Sequence, residues 1–552
     1  LMANFEKFAN YQVSDAARNS VGMPRSKFYM PHTLKTTFNV GDLVPLGAPI
    51  EILPGDSIDD ARTKCLARLS TAKFPTMDNA FVDFYAFFTP WRLLFDKTKE
   101  FFGENNENAW TNTDPPLLPH TTLGEVYQNI ESWDALDYTL WDYFGLPCRQ
   151  PLAAGFPDGI TINLMPFRGY KLIYNEFFRN QNTTAPLMVN TSGTDTLSEE
   201  YFAIQHGCRF HDRFSDCLPS PQKGPDVLIP GLMDIPVVTG ELSHGGPYIG
   251  LRWRQADGTM VGMTTNNEGD LTLTLPASSA GDKAVFPTNL YTGQASAATI
   301  RSLRDAFQIQ RIYERDARSG SRYAEYLRAA FDVVSADASL QRPQFLGTHR
   351  VALNMSQVVQ QSSDVEGSPL GNVAGLSKTY GDWQFPAQGF TEHGYLYVLA
   401  LARTERSYYG GVNRLFSRLS RFDVYDPALA MISEQPVYTR ELSLALGANE
   451  GDKVFGYQAP WSEYREIPSW VTGSFRPDAD QSLSAWTYVD YYGDQTPRLA
   501  TSWMEESDQV MANTLAYNNP DQRDQILLDV RFDWQISRCI VSNGIPGLVD
   551  HF

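Results

Sequence analysis

The stretch ILLDVRFDWQIS at residues 526–537 decides the fold class. Ile526, Leu528, Val530, Phe532, Trp534 and Ile536 fall on one face. Asp529, Arg531, Asp533, Gln535 and Ser537 fall on the other, with Leu527 the only early exception. Side chains alternate along a strand with a period of two, so this pattern predicts a half-buried antiparallel strand. Two further stretches are apolar on both faces. FVDFYAFF at 81–88 is dense in aromatic residues and ends near Pro90, and YLYVLALA at 395–402 is continuous; both predict buried strands.

Strand signals therefore lie near both ends of the chain. Residues up to about Met30 are polar and mixed and read as an arm. Leu34–Leu53 alternates loosely, Pro54-Gly55 marks a turn, and Lys64–Leu69 resumes the strand pattern. Short helical pieces are predicted at Leu93–Phe102, Trp133–Phe144 and Tyr170–Arg179. The best helical region is Thr299–Val334, capped by Ser296 or Thr299 and interrupted at Ser319-Gly320-Ser321. Asn105–Pro119, and the run broken by Pro186, Gly193, Pro219, Pro221 and Pro225, must be loop. Such long irregular segments are uncommon inside a compact domain and usually carry a function. Loops that grip neighbouring copies of the same chain are one such function.

Residues 247–276 differ from their surroundings. Ile249, Leu251 and Trp253 alternate with Gly250, Arg252 and Arg254, and Asp257-Gly258 is a hairpin turn signal. Met260–Thr264 runs back, Asn266 and Asn267 open a second turn, and Leu271, Leu273 and Leu275 alternate with threonines. This predicts a three-stranded meander within an inserted segment, 223–294, between Gly- and Pro-rich edges. The remainder, 1–222 and 295–552, then forms one discontinuous domain.

Composition narrows the function. Of 552 residues, 42% are hydrophobic, 13% aromatic and 20% charged, which suits a large packed core and excludes a disordered chain. The apolar runs fall well short of the roughly 20 residues a spanning helix needs, so no membrane partner is expected. Lys+Arg is 45 and Asp+Glu is 64, giving a net charge of −19. A chain that neutralised nucleic acid unaided would be basic. Arg outnumbers Lys 33 to 12, as specific Arg-mediated contacts or a GC-rich genome would each produce. The five cysteines, Cys65, Cys148, Cys208, Cys217 and Cys539, are widely spaced with no CxxC, so a reducing compartment fits better than a disulfide scaffold. Leu1–Asn10 has no signal-peptide pattern.

No catalytic motif or cofactor signature is present: there is no GxSxG, HExxH, P-loop or dinucleotide-binding glycine pattern. His206, Cys208, His211, Asp212 and Cys217 resemble a metal set, but their spacing is not that of a common structural zinc site. Hydrogen bonding of His211 and Asp212 within a loop is the simpler reading. Two Arg-rich stretches stand out. In the first, Arg304, Arg311, Arg315, Arg318 and Arg322 are mixed with acids and suggest inter-subunit contacts or a solvated helix. In the second, Arg403, Arg406, Arg414, Arg418 and Arg421 are interleaved with Tyr408, Tyr409, Phe416 and Phe422. That pattern suits single-stranded DNA, whose phosphates meet cations and whose bases stack on rings. It suits ion pairing with an acidic neighbouring subunit better, since 441–530 holds fifteen carboxylates against five cations.

Several long stretches resemble the major capsid protein of microviruses, in the gokushovirus-type branch of these small circular single-stranded DNA bacteriophages. They are MPRSKFYMPHTLKTTFNVGDLVPL at 23–46, EILPGDS at 51–57, FPTMDNAFVDFYAFFTPWRLLFD at 74–96, RFHDRFSDCLPSPQKG at 209–224 and LRDAFQIQRIYERDARSGSRYAEYL at 303–327. QRPQFLG at 341–347, the run 380–425, FGYQAPWSEYREIPSWVTGSFRP at 455–477 and GIPGLVDHF at 544–552 continue the resemblance in order.

The resemblance implies a mainly β fold, an eight-stranded antiparallel viral jelly roll with large loop insertions and a few helices. It implies a T=1 icosahedral shell of sixty copies assembled through pentamers, genomic single-stranded DNA inside, a small basic packaging protein and a scaffolding protein. The virion would be the final location, reached by assembly in the bacterial cytoplasm. It also places the 223–294 insertion at protrusions on the threefold axes. Trp253, Asp257, Gly258, Asn266 and Asn267 are then candidates for contact with a host surface receptor. The alternative class is a β-rich carbohydrate-binding or carbohydrate-active protein, which would draw its paired carboxylates from Asp490/Asp494 or Glu505/Glu506.

Overall fold

The computed structural model describes residues 25–104, 116–128, 133–148, 160–193, 195–225, 227, 237–239, 253–255, 260–265, 271–274, 285–287, 290–292, 300–320, 322–359, 373–444, 451–493, 495–516 and 523–540. The chain forms two compact units. The first joins Leu1–Pro221 to Gly320–Phe552, and the second is Gln222–Ser319.

Ten strands frame the first unit: β1 (Ser26–Phe38), β2 (Leu43–Pro45), β3 (Ile50–Ile52), β4 (Ser57–Leu69), β5 (Ala80–Pro90), β6 (Gln344–Ala352), β7 (Thr379–Phe385), β8 (Gln388–Gly389), β9 (Gly394–Thr404) and β10 (Ile526–Arg538). One sheet runs β1-β10-β4-β7, with β8 also on β4. The other runs β6-β5-β9-β2, with β3 also on β9. Every pairing in the two sheets is antiparallel. If β2/β3 and β7/β8 are each taken as one interrupted strand, every sheet has four strands. Each sheet also draws on widely separated parts of the chain. This is the eight-stranded jelly-roll arrangement.

The alternation in 526–537 is realised along β10. Ile526, Leu528, Val530, Phe532, Trp534 and Ile536 are buried between the sheets, while Leu527 faces outward and is exposed. β10 pairs with β1 from Phe38↔Ile526 to Ser26↔Arg538 and with β4 on its other side. A one-residue slip would turn its whole apolar row to solvent, so burial fixes the register. β1 already begins at Ser26, so the arm predicted to reach Met30 is shorter than that; its first residues lie outside the described part. Across the core, the Phe84 ring on β5 meets Trp383 on β7 with centroids 4.5 Å apart. Trp534 Nε1 donates to Thr63 Oγ1 at 3.2 Å, satisfying its one polar group.

β5 and β9 are apolar on both faces because their outer face is covered as well. Helix α1 (Met165–Ile173) lies there: Tyr397 donates to the Pro166 carbonyl at 2.8 Å, and Tyr170 donates to the Leu43 carbonyl at 2.7 Å. A Cβ on Gly169 would sit 2.0 Å from the Tyr397 hydroxyl oxygen, so this approach requires glycine. The turn at Gly55 has φ +88, which also favours glycine.

The second unit contains the predicted meander. Trp253–Gln255, Met260–Thr265 and Leu271–Thr274 are successive antiparallel neighbours, and Val285–Pro287 adds a fourth strand beside the first. The unit is wider than 223–294, because it also takes in helix α2 (Ile300–Ser319). Helix α3 (Tyr323–Phe331) follows the predicted interruption and belongs to the first unit. The caps Ser296 and Thr299 lie outside the described residues, as does the C-terminal GIPGLVDHF stretch.

Candidate subunit-contact surface

Beyond β9 the chain leaves the barrel and builds a second, smaller core. Phe214, Cys217, Tyr408, Val437, Leu442, Phe455, Trp503 and Met504 form it. Segments remote in sequence meet here, and buried ion pairs hold them. The Arg406 side chain, 4% exposed, reaches Asp490 at 2.8 Å and Glu506 at 2.7 Å. Arg209 reaches the same Asp490 at 2.9 Å and lies 4.2 Å from the Trp503 ring centroid. Burial pushes the Asp490 carboxyl up, but the Arg406 and Arg209 guanidiniums outweigh it and hold it below the usual carboxylate range. Arg213 pairs with Glu441 at 2.7 Å. Arg418 pairs with Glu463 at 3.0 Å, and Arg414 lies 3.7 Å from the same carboxylate.

In the second Arg-rich stretch, Arg406, Arg414 and Arg418 find carboxylates of 441–530 within their own chain. Arg403 remains on β9, paired with Asp83. Asp83 is buried and also binds Arg350 at 2.6 Å from the adjacent strand β6. Arg421 is exposed and has no ion pair among the described residues. Charge complementarity was legible in the sequence, but intrachain closure was not, because the partners are separated by 84 and 100 positions for Arg406. Arg209, Arg213, Glu441 and Glu463 were not singled out, and nothing in their local sequence marks them.

This ion-paired base carries an apolar surface. Short helical turns at Arg414–Ser417, Arg421–Asp423 and Pro427–Leu429 are capped by Asn413, Ser420 and Asp426, whose side chains accept from the Leu415, Phe422 and Ala428 amides. The turns hold Phe416, Leu419, Phe422 and Met431 outward; Leu419 is 94% and Met431 98% exposed. Ile467 and Trp470 are also exposed. A groove of about 780 Å³ lies in this region, lined in part by Phe416, Ile467, Trp470 and Tyr409. Exposed apolar clusters of this kind mark interaction sites.

The first Arg-rich stretch is divided between the two units. Arg304 and Arg311 are exposed on α2, Arg315 lies 3.5 Å from Asp316, and Arg318 lies 3.7 Å from Glu314. Arg322 lies in the first unit and pairs with Glu325 at 3.2 Å. Trp253 sits on a strand of the second unit, with its side chain outside the described part; Asp257, Gly258, Asn266 and Asn267 lie outside the described residues altogether.

The metal-like set is spread through hydrogen bonds. His211 meets Asp216 at 2.7 Å, and Asp212 accepts from the Phe214 and Ser215 amides at 3.0 and 2.8 Å. Among the described residues no group of three or more His, Cys, Asp or Glu is arranged to hold a metal. No disulfide joins any of the five cysteines among the described residues. Of the carboxylates considered for carbohydrate chemistry, Asp490 and Glu506 are both tied to Arg406, burial raises Glu505, and Asp494 lies outside the described residues.

Comparison with known proteins adds an independent finding. The family described as "Capsid protein (F protein)" matches residues 16–548. The chain is similar to Capsid protein VP1 of Spiroplasma virus 4, at 34% identity over 95% of this chain and 96% of the relative. It is 33% identical to Capsid protein VP1 of Bdellovibrio phage phiMH2K, over 98% of each chain. Capsid protein VP1 of Chlamydia phage 1 is 32% identical over 95% of this chain and 96% of the relative.

Proposed function

The chain belongs to the capsid protein (F protein) family and is a structural capsid subunit, and from that premise we propose that sixty copies close into a T=1 shell around circular single-stranded DNA. The observation that carries the contact surface is the apolar cluster at 414–431, displayed on a base whose charges are already neutralised. A rigid base with exposed anchors suits association between identical copies, and weak contacts become strong when many act together. In this reading the subunit works by geometry rather than catalysis.

The net charge of −19 means the shell does not screen a packaged genome. A small basic packaging protein would supply that charge, and a scaffolding protein would guide pentamers into the closed particle during assembly in the host cytoplasm. Bare DNA in purified particles, with no cationic protein, would contradict the first point. The 247–276 meander would contact the host surface; unchanged adsorption by particles lacking Gly246–Ala277 would contradict that role.

The contact surface is tested by Leu419→Asp and Met431→Asp, each read by analytical sedimentation. Both side chains are exposed in the single chain, so thermal midpoints should stay near wild type. Burying a charge between copies should abolish particles. Normal assembly of both variants would remove 414–431 from the subunit contacts.

A further inference from the structure

A second cavity, of about 490 Å³, opens beside β5 and β9. Its lining includes the rings of Tyr85, Phe87, Phe177, Phe178 and Phe345. It also carries Arg179, Arg322, Arg403 and His211; Arg322 pairs with Glu325, Arg403 with Asp83 and His211 with Asp216, which leaves Arg179 without a carboxylate among the described residues. A cationic, ring-lined cavity is out of keeping with a chain that is acidic as a whole.

Arg179 is the informative residue. It follows a π-helical turn, Tyr174–Phe178, that extends α1 and delivers Phe177 and Phe178 to the same cavity. Such widened turns frequently occur at functional sites. Arg179 Nη1 donates to the Thr184 carbonyl at 2.7 Å, and among the described residues no carboxylate pairs with it. Its neighbour Arg322 donates to the Asn175 carbonyl at 2.9 Å and to the carbonyl of Arg179 itself at 3.0 Å. The Arg322 guanidinium is thus held against the Arg179 backbone, and burial together with Arg322 lowers the Arg179 pKa. The Nε groups of Arg179 and Arg403 are buried without a hydrogen-bond acceptor. Arg403 shares its carboxylate, Asp83, with Arg350. Arg179, and the two arginines that share Asp83, leave positive charge and donors uncompensated at this place, and an anion would relieve both.

We propose that this cavity is a phosphate-binding site that grips a phosphate group through Arg179, with Arg403 beside it and the aromatic wall available to an attached base. Planar guanidinium donors match phosphate oxygens in pairs. The volume is that of a small-ligand site rather than of a bare ion, so a nucleotide unit fits it. The phosphate can come from a single-stranded nucleic acid or from free phosphate. In the first case the site deepens the packaging role proposed above.

The test uses the full chain with two probes. Inorganic phosphate should raise the thermal midpoint more than chloride at equal ionic strength. A fluorescent 12-residue oligodeoxythymidylate should bind and be displaced by phosphate. Arg179→Gln should weaken oligonucleotide binding by about tenfold and flatten its salt dependence by about one phosphate contact, with Arg179→Lys in between. Arg179-dependent binding of both probes assigns the site to nucleic acid; Arg179-dependent binding of phosphate alone assigns it to the free anion. Phosphate no more stabilising than chloride, or as stabilising for Arg179→Gln as for wild type, overturns the site. A wild-type thermal midpoint for Arg179→Gln in buffer separates lost binding from lost folding. Neither readout needs assembly, so failure here leaves the shell reading standing, and failure of the shell leaves this site standing.

Discussion

Arg406 shows what a single side chain does in the loop core. Its guanidinium bridges Asp490 and Glu506, two carboxylates from different loops, with Thr404 adding a hydrogen bond to Glu506 at 2.8 Å. Removing one partner of such a buried set strands the others without water. Arg406→Ala should therefore cost about 3–5 kcal/mol, measured as a loss in chemical denaturation. A loss below about 1 kcal/mol would mean the network is solvated and does not hold the loops. Lys171 on α1 makes a different point. Its ammonium nitrogen lies 3.2 Å from the Tyr201 ring centroid, and burial, only partly opposed by Asp195, lowers its pKa from 10.5 to about 8. The folded chain then binds fewer protons at this group than the unfolded chain between pH 8 and 10.5. Its contribution to stability should rise with pH across that window. Wild type minus Lys171→Met, taken from denaturation at stepped pH, isolates the rise from titrating cysteines and tyrosines; a flat difference would contradict the burial of the ammonium.

At the scale of elements, β10 carries the fold's register. Leu528 is in the inter-sheet core and Leu527, next to it, is on the outer face. Leu528→Ala should cost about 2–5 kcal/mol and Leu527→Ala within about 0.5 kcal/mol, read from thermal midpoints. Equal costs would mean that the sheet is covered on both faces. The contrast explains why this strand was legible from sequence: one face is dry and the other wet, so the residue pattern records the structure directly. β5 and β9 were legible for the opposite reason, since both faces are dry. β2, β3 and β8 were not predicted as separate strands. Three or two residues are too few to show a period, and their pairing is decided by β9 and β4. The fourth strand of the small sheet, Val285–Pro287, was missed for the same reason.

At the scale of the whole molecule, the long loops are a second structure built beside the barrel rather than loose connection. The sequence displayed their ingredients, an Arg-rich stretch and an acid-rich one, but pairing between residues tens of positions apart is a property of the fold. The exposed apolar turns at 414–431 were hidden for a related reason. In the sequence Phe416 and Phe422 read as stacking partners for bases or as part of an interface with an acidic neighbour; the structure pairs Arg414 and Arg418 within the chain and leaves the two rings exposed. An acidic chain with neutralised interior charges and outward apolar anchors is suited to meeting copies of itself. Electron cryomicroscopy of the purified chain tests this most directly. The account predicts uniform closed particles in which Leu419 and Met431 are buried against neighbouring subunits. Discrete single chains under every assembly condition, or closed particles that leave both side chains in solvent, would contradict it.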